Sequence, residues 1–348
     1  MLSDLARSPT ICPGGEAMVN HYSVSSCRRY LLLITILGLF ALCVVSPAGA
    51  VRYSATVLNG VIGDPAGIND AGQVISVSST IDASGTYTAS YLWTNGTSQP
   101  LGSYVNAIND SGHTAGYDEW DLIRSPLIDG GAIPGILGEG EAWGINNLGQ
   151  VVGVVATSAG PWHAFRYDSG TITDLTPSWT GASIGMAINL SGQIVVNQDA
   201  IEGSSYLWDD GVMTPTGLWN ARAISDSGQT LGWNVGGPAI WRDGVTTQIT
   251  VLPGRSVSWL SGINKNGQVV GSFADGGFLW EDGVMSDINS LIDGSPGLTI
   301  DRVGGINDNG QIIASSSYGV VLLAPVPEPS CLAALIVGMA GLLRLKRR

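Results

Sequence analysis

An all-β fold, built as a ring of repeated four-stranded units, is what this sequence predicts, and three observations carry the prediction. The chain is rich in glycine and poor in charge. A hairpin signature recurs along it seven times. The last copy is one strand short, and a strand of matching character stands ahead of the first.

Composition narrows the fold class first. The 348 residues include 49 Gly, 44% hydrophobic residues and only 12% charged ones. Glycine at about 14% is roughly twice its usual share. It weakens helices, and solvated helices need charge, so a long-helix protein is excluded. The glycines keep no three-residue period, which excludes collagen. The apolar share is large enough to bury a core, which argues against disorder.

The repeated signature is Ile68-Asn69-Asp70-Ala71-Gly72-Gln73-Val74, with further copies beginning at Ile108, Ile145, Ile188, Ile224, Ile263 and Ile306. Its glycines stand 36 to 43 residues apart. Apolar and β-branched residues flanking a short Asn/Asp/Ser-Gly stretch are a hairpin signal, with Gly in the left-handed position. The Asn or Ser side chain is expected to bind the turn backbone. A third strand follows in each unit, as in Tyr206-Leu207-Trp208 or Phe278-Leu279-Trp280, with a degenerate version at Pro126-Leu127-Ile128. A Gly turn and a short fourth strand such as Val284-Met285 complete it. Four strands in about 40 residues is one propeller blade.

The seventh unit ends after its third strand, Val320–Leu323, and Tyr53–Leu58 has the character of the missing fourth. The expectation is a seven-bladed β-propeller closed by its N-terminal strand, which leaves few sheet edges exposed. Gly67, Ala107, Gly144, Ala187, Ala223, Gly262 and Gly305 precede the repeat Ile. Small residues there place the hairpin's first strand innermost, where neighbouring units crowd around a channel. The Ile-Asn-x-x-Gly-Gln-Val-Val-Gly pattern, with His163-Ala164-Phe165, resembles the bacterial extracellular repeats of the HAF family over nearly all of 51–324. That resemblance implies an exported repeat protein and no established activity.

The ends read as addresses. Arg28 and Arg29 precede the apolar run Tyr30–Val45 and the small residues before Val51. This is a secretory signal peptide over 1–50, with Ala48 and Ala50 marking cleavage and Met18 an alternative start. The run is shorter than the ~20 residues of a spanning helix. After the ring, residues 325–348 hold Pro327, Glu328 and Pro329, the apolar stretch Cys331–Leu343 and a basic end. This resembles the Pro-Glu-Pro (PEP-CTERM) sorting signal of exported proteins of Gram-negative bacteria. The resemblance implies a short hydrophobic helix held transiently in the inner membrane, an exosortase-type processing enzyme as partner, and delivery to the cell surface or matrix. All four cysteines lie in these two ends, so residues 51–324 contain no thiol for a disulfide or a metal.

Residues 51–324 hold 25 acidic and 8 basic side chains. That balance repels phosphate backbones, so nucleic acid is not an expected partner. His113 and His163 have no second His or Cys at ligand spacing. No cofactor is expected. Weak Ca²⁺ binding in turns holding Asp70, Asp209-Asp210, Glu281-Asp282 and Asp308 is the softer alternative, since no full calcium loop is present. The sharper candidates are Tyr104, Trp143, Trp179, Trp219 and Trp259, which stand 4, 2, 9, 5 and 4 residues ahead of the repeat Ile in five consecutive units. Placed in the links that enter the inner strands, they would form an arc of aromatic faces beside carboxylates, on which a glycan could stack.

The functional expectation is a non-catalytic binding and scaffold module for extracellular polysaccharide. One alternative is an extracellular carbohydrate-active hydrolase or lyase, marked by two facing carboxylates about 5 to 10 Å apart in a deep pocket. The other is a purely structural surface protein, marked by burial of all five aromatics.

Overall fold

The computed structural model describes residues 51–327, apart from 83–84, 121–122, 137, 159 and 199–202. The leader with Met18, Ala48 and Ala50 lies outside the described residues, as do Glu328, Pro329 and the expected sorting helix. Pro327 is the last residue described. No helix among the described residues is long and apolar enough to cross a membrane.

The architecture is all-β and propeller-like, with a 3-10 turn at Ile288–Ser290. The first repeat is a four-stranded antiparallel meander of Asp64–Ile68, Val74–Asp82, Gly85–Thr94 and Thr97–Pro100. The second, third and sixth repeats each form a sheet of the same order. Repeats four and five share one seven-stranded sheet, because the strand Val212–Ile224 is continuous. Its first half pairs with Ser204–Asp209 and its second half with Thr230–Asn234. In the seventh repeat, Arg52–Val57 pairs antiparallel with Gly319–Val326, from Arg52 opposite Val326 to Val57 opposite Val321. A feature the sequence did not announce lies beyond it. Ile292–Asp293 adds a short parallel strand to Arg52–Val57, fastened by Arg52, which donates to Asp293 Oδ1 at 2.9 Å and to the Ser290 carbonyl at 2.8 Å.

The core lies between successive sheets. Val152, Ile194, Val196 and Trp208 fill one gap, and Leu231, Leu260, Val269 and Trp280 another. Each fully buried aliphatic side chain of this kind contributes about 1.5–3 kcal/mol. The repeated third-strand tryptophans, Trp208, Trp241 and Trp280, are therefore packing residues.

The hairpins hold the sheets to one another. In each Asn-type turn the Asn Oδ1 accepts the backbone N–H of the Gln or His four residues on; in the sixth repeat this bond joins Asn264 and Gln268 at 3.1 Å. The Asn Nδ2 then reaches the carbonyl of the corresponding residue in the next repeat: Asn69 to Asn109, Asn109 to Asn146, Asn146 to Asn189, Asn189 to Ser225, and Asn264 to Asn307. Asn307 donates in turn to the Asn69 carbonyl at 3.0 Å, across 238 residues of chain. A second tier runs beside it. Asp110 accepts the N–H of Asp70, Asp308 that of Lys265, and Asp70 that of Asp308, each at 2.8 Å. The expected bond from Asn to its own turn is present, and the same side chain also clasps its neighbour.

Each inner strand is broken by a bulge two residues before the repeat Ile, at Ala66, Asn106, Trp143, Met186, Ser261 and Gly304, with a wider irregularity spanning 220–222 in the fifth repeat. The bulge pushes a carbonyl towards the second strand. A Cβ on Gly153 would lie 2.0 Å from the Glu141 carbonyl oxygen, which explains the Gly of the Val-Val-Gly segment. The small residue after the bulge faces the adjoining repeat: a Cβ on Gly144 would sit 3.2 Å from the Ala187 Cα. Crowding of inner strands, inferred from small residues alone, is thus what their surroundings impose.

Candidate functional site

The inner strands have two ends of different chemistry. At the hairpin end the turns of repeats one to five and seven surround a cavity of about 170 Å³, lined by Asp70, Asp110, Asn147, Leu190, Asp226 and Asp308 among others. Asp70, Asp110, Asp226 and Asp308 each accept a backbone N–H from an adjoining turn. Burial holds the Asp308 carboxyl above the ordinary carboxylate range, and the nearby Asp70 and Asp226 push the same way, against the Lys265 N–H and charge. Asp209 and Glu281, two more of the turn carboxylates considered for calcium, accept from Gln193 and Gln268 of their own repeats. Among the described residues no group of three or more His, Cys, Asp or Glu is placed to hold a metal ion.

The histidines serve as ties. His113 stands where the other repeats have Gln, and its Nδ1 lies 2.7 Å from Asp129 Oδ2, the counterpart of Gln150 donating to Asp168. His163 is buried, with Nδ1 2.9 Å from Asp174 Oδ2. The hydroxyl nearby, Ser183 Oγ, is occupied by the Ala164 N–H and by Thr176. These bonds link a third strand to the next repeat's inner strand, and the His163 Nε2 is buried with no partner among the described residues.

Tyr104, Trp219 and Trp259 lie towards the opposite end, and here the expected placement needs correction. Only Trp179 is in a link. Tyr104 and Trp259 open the strands Tyr104–Ile108 and Trp259–Ile263; Trp143 is the bulge residue of Gly140–Ile145, and Trp219 lies inside the continuous strand Val212–Ile224. Bulges and strand continuity absorb the irregular offsets. The hairpin carboxylates are not beside Tyr104, Trp219 or Trp259 either, because four or five residues of strand at about 3.3 Å each separate these rings from the repeat Ile.

Their surroundings differ one by one. Tyr104 stacks on Tyr117 with ring centroids 4.9 Å apart, and Arg124 lies 5.1 Å from the Tyr117 centroid. Trp179 meets Tyr206 edge-on at 5.1 Å. Trp143 is half-buried, and its Nε1 finds no hydrogen-bond partner among the described residues. Trp219 is half-buried, and Trp259 is 40% exposed with the Arg222 guanidinium 3.8 Å above its ring. None of the five is fully buried. Arg222 was not singled out from the sequence. Its signal lies in its position: it is a lone base two residues before the repeat Ile, where the other repeats carry Ala, Asn, Trp, Met, Ser and Gly.

The strand order and pairings define the class, an all-β, propeller-like protein. No family model matches the chain, and no curated protein matches it either. Similar solved structures include the β-propeller domain of the Trilobed protease from Pyrococcus furiosus, at 12% identity over 76% of this chain and 91% of that one, with a TM-score of 0.49. Two others are YCF48 bound to D1 peptide, at 15% identity, 79% and 97% coverage and a TM-score of 0.46, and the WD40 β-propeller domain of Doa1, at 13% identity, 80% and 99% coverage and a TM-score of 0.46. These are likenesses of strand arrangement, and no activity is carried over from them.

Proposed function

We propose that this chain closes into a seven-bladed β-propeller and works as a non-catalytic binding and scaffold module for extracellular polysaccharide. Export through the leader 1–50, handling of the tail at Pro327-Glu328-Pro329 by an exosortase-type enzyme, and a final place at the surface or in the matrix belong to the same reading. Closure is supported by the pairing of Arg52–Val57 with Gly319–Val326 and by the bond from Asn307 to Asn69. Binding is supported by one contrast above all. The carboxylates around the hairpin cavity are engaged with backbone N–H groups, whereas all five aromatics keep solvent-accessible surface. Flat, partly exposed rings present a face to sugar C–H groups at low entropic cost, because the rings are already fixed by neighbours such as Tyr117 and Tyr206.

The test is a glycan array probed with the full chain, purified in mild detergent, beside Trp259→Ala and a chain with alanine at Tyr104, Trp143, Trp179, Trp219 and Trp259. Selective glycan signal that falls in Trp259→Ala and vanishes in the multiple variant is the expected result. A blank array, or a signal indifferent to Trp259, would refute the binding reading and leave the structural one.

A further inference from the structure

At the bulge position of two inner strands a side chain bridges to the next repeat, and Arg222, at the same position of the fifth repeat, makes a different contact. Asn106 donates from this position to the Ala142 carbonyl at 2.8 Å, and Ser261 to the Val303 carbonyl at 2.7 Å. In both cases the acceptor is the carbonyl three residues before the next repeat's Ile. In the seventh repeat a side chain at Gly304 would fall 2.5 Å from the equivalent Pro65 oxygen. Arg222 instead lies over Trp259 of the next repeat and makes no hydrogen bond or ion pair with any described residue. Five of the domain's eight bases, Arg52, Arg124, Arg242, Arg255 and Lys265, are within reach of a carboxylate. The other three are Arg166, Arg222 and Arg302; Arg166 and Arg222 are both half-buried over an indole, and Arg222 lies the nearer, at 3.8 Å from the Trp259 centroid against 5.0 Å for Arg166 over Trp208.

A guanidinium lying on an indole face keeps the N–H groups along its edges available, and those edges match a planar carboxylate through two parallel bonds. Burial already pushes the Arg222 guanidinium below the ordinary arginine range, so an arriving anion would relieve an existing cost. Trp259 is 40% exposed, and half-buried Trp219 precedes Arg222 on the same strand. We infer that Arg222 and Trp259 form a subsite for the carboxylate of an acidic sugar, the guanidinium taking the carboxylate while indole takes the sugar face. This deepens, and rests on, the polysaccharide reading above. The surrounding domain is strongly acidic and repels densely charged polymers, so the ligand is a mostly neutral chain with isolated uronic acid units.

The probe is a xylo-oligosaccharide carrying one glucuronic acid, titrated calorimetrically into the full chain beside its carboxyl-reduced neutral twin. The acidic form should bind roughly tenfold or more tightly than the twin, the range expected for charge-assisted bonds. Arg222→Gln should remove that preference, so that the acidic form binds no more tightly than its neutral twin. Arg222→Lys, which keeps the charge and loses the fork, should fall between. Equal affinity of the wild-type chain for both twins would overturn the acidic subsite and leave the polysaccharide reading standing. Loss of both ligands in Arg222→Gln would assign Arg222 a structural role and also overturn it. Binding of neither twin by the wild-type chain would refute both. Should Arg222→Gln fail to fold, the twin comparison and Arg222→Lys still decide.

Discussion

Asn264, at the hairpin end of an inner strand, is 2% exposed and has every polar atom engaged: Nδ2 serves Gln268 and the Asn307 carbonyl, and Oδ1 serves two N–H groups of its own turn. At the bulge two residues before the repeat Ile, the Trp143 Nε1 is buried without a partner among the described residues and Arg222 meets only an aromatic face. The Asn turns repeat the same bonds from one unit to the next; the bulge position carries a different residue in every repeat, answered at Asn106 and Ser261 and unanswered by any polar partner at Trp143 and Arg222. Saturation accounts for the repeated motif by structure alone, since an unanswered buried polar group is costly. A half-exposed group without a polar partner, such as the Arg222 guanidinium, is where a ligand has something to supply.

Breaking the saturated end should have the largest effect on stability. Asn264→Ala leaves the Asn307 carbonyl and two turn N–H groups short of a partner, and should lower unfolding stability by about 3 kcal/mol, read from urea denaturation. Gly153→Ala drives a Cβ against the Glu141 carbonyl and should cost about 2 kcal/mol in the same assay. The belt also has a gap to fill. Ser225 is too short to reach the Asn264 carbonyl as the Asn side chains do, so Ser225→Asn should raise stability by about 1 kcal/mol.

A smaller effect depends on pH. The folded-state pKa of Asp308 is raised, so the folded chain binds that proton more tightly than the unfolded one. The site therefore favours folding as pH falls into the carboxylate range and loses that contribution as pH rises through the folded pKa. Asp308→Asn, which keeps an acceptor for Lys265, should flatten this component of the pH–stability profile and be no less stable at neutral pH. The smallest change belongs to His113→Gln. It restores the residue found in the other repeats, still facing Asp129, and should move stability by no more than about 0.5 kcal/mol.

Much of this contrast was legible in the chain itself, for identifiable reasons. The repeated hairpin, the pairing strand near the N-terminus and the crowded small residues were readable because they follow from local periodicity and from Gly and Ala where a Cβ has no room. The clasp from each Asn to the next repeat was not, since spacing says nothing about which neighbour's carbonyl a side chain will face. The places of Trp143 at a bulge and of Trp219 inside a strand that runs on from the preceding repeat are not legible, since neither a bulge nor a continuous strand changes the residue types around it. The parallel pairing of Ile292 with Tyr53 joins two segments with no shared pattern. Arg222 was lost because the charge count set it among eight bases and not at a position two residues from the repeat Ile.

The division between a structural and a receptive end is tested most directly by titrating one glycan identified on the array into Trp259→Ala while following its urea midpoint. The account predicts a loss of affinity of about tenfold or more, as for an aromatic anchor, with the midpoint close to wild type. Undiminished affinity alongside a clearly lowered midpoint would contradict it, making the aromatic end another part of the packing.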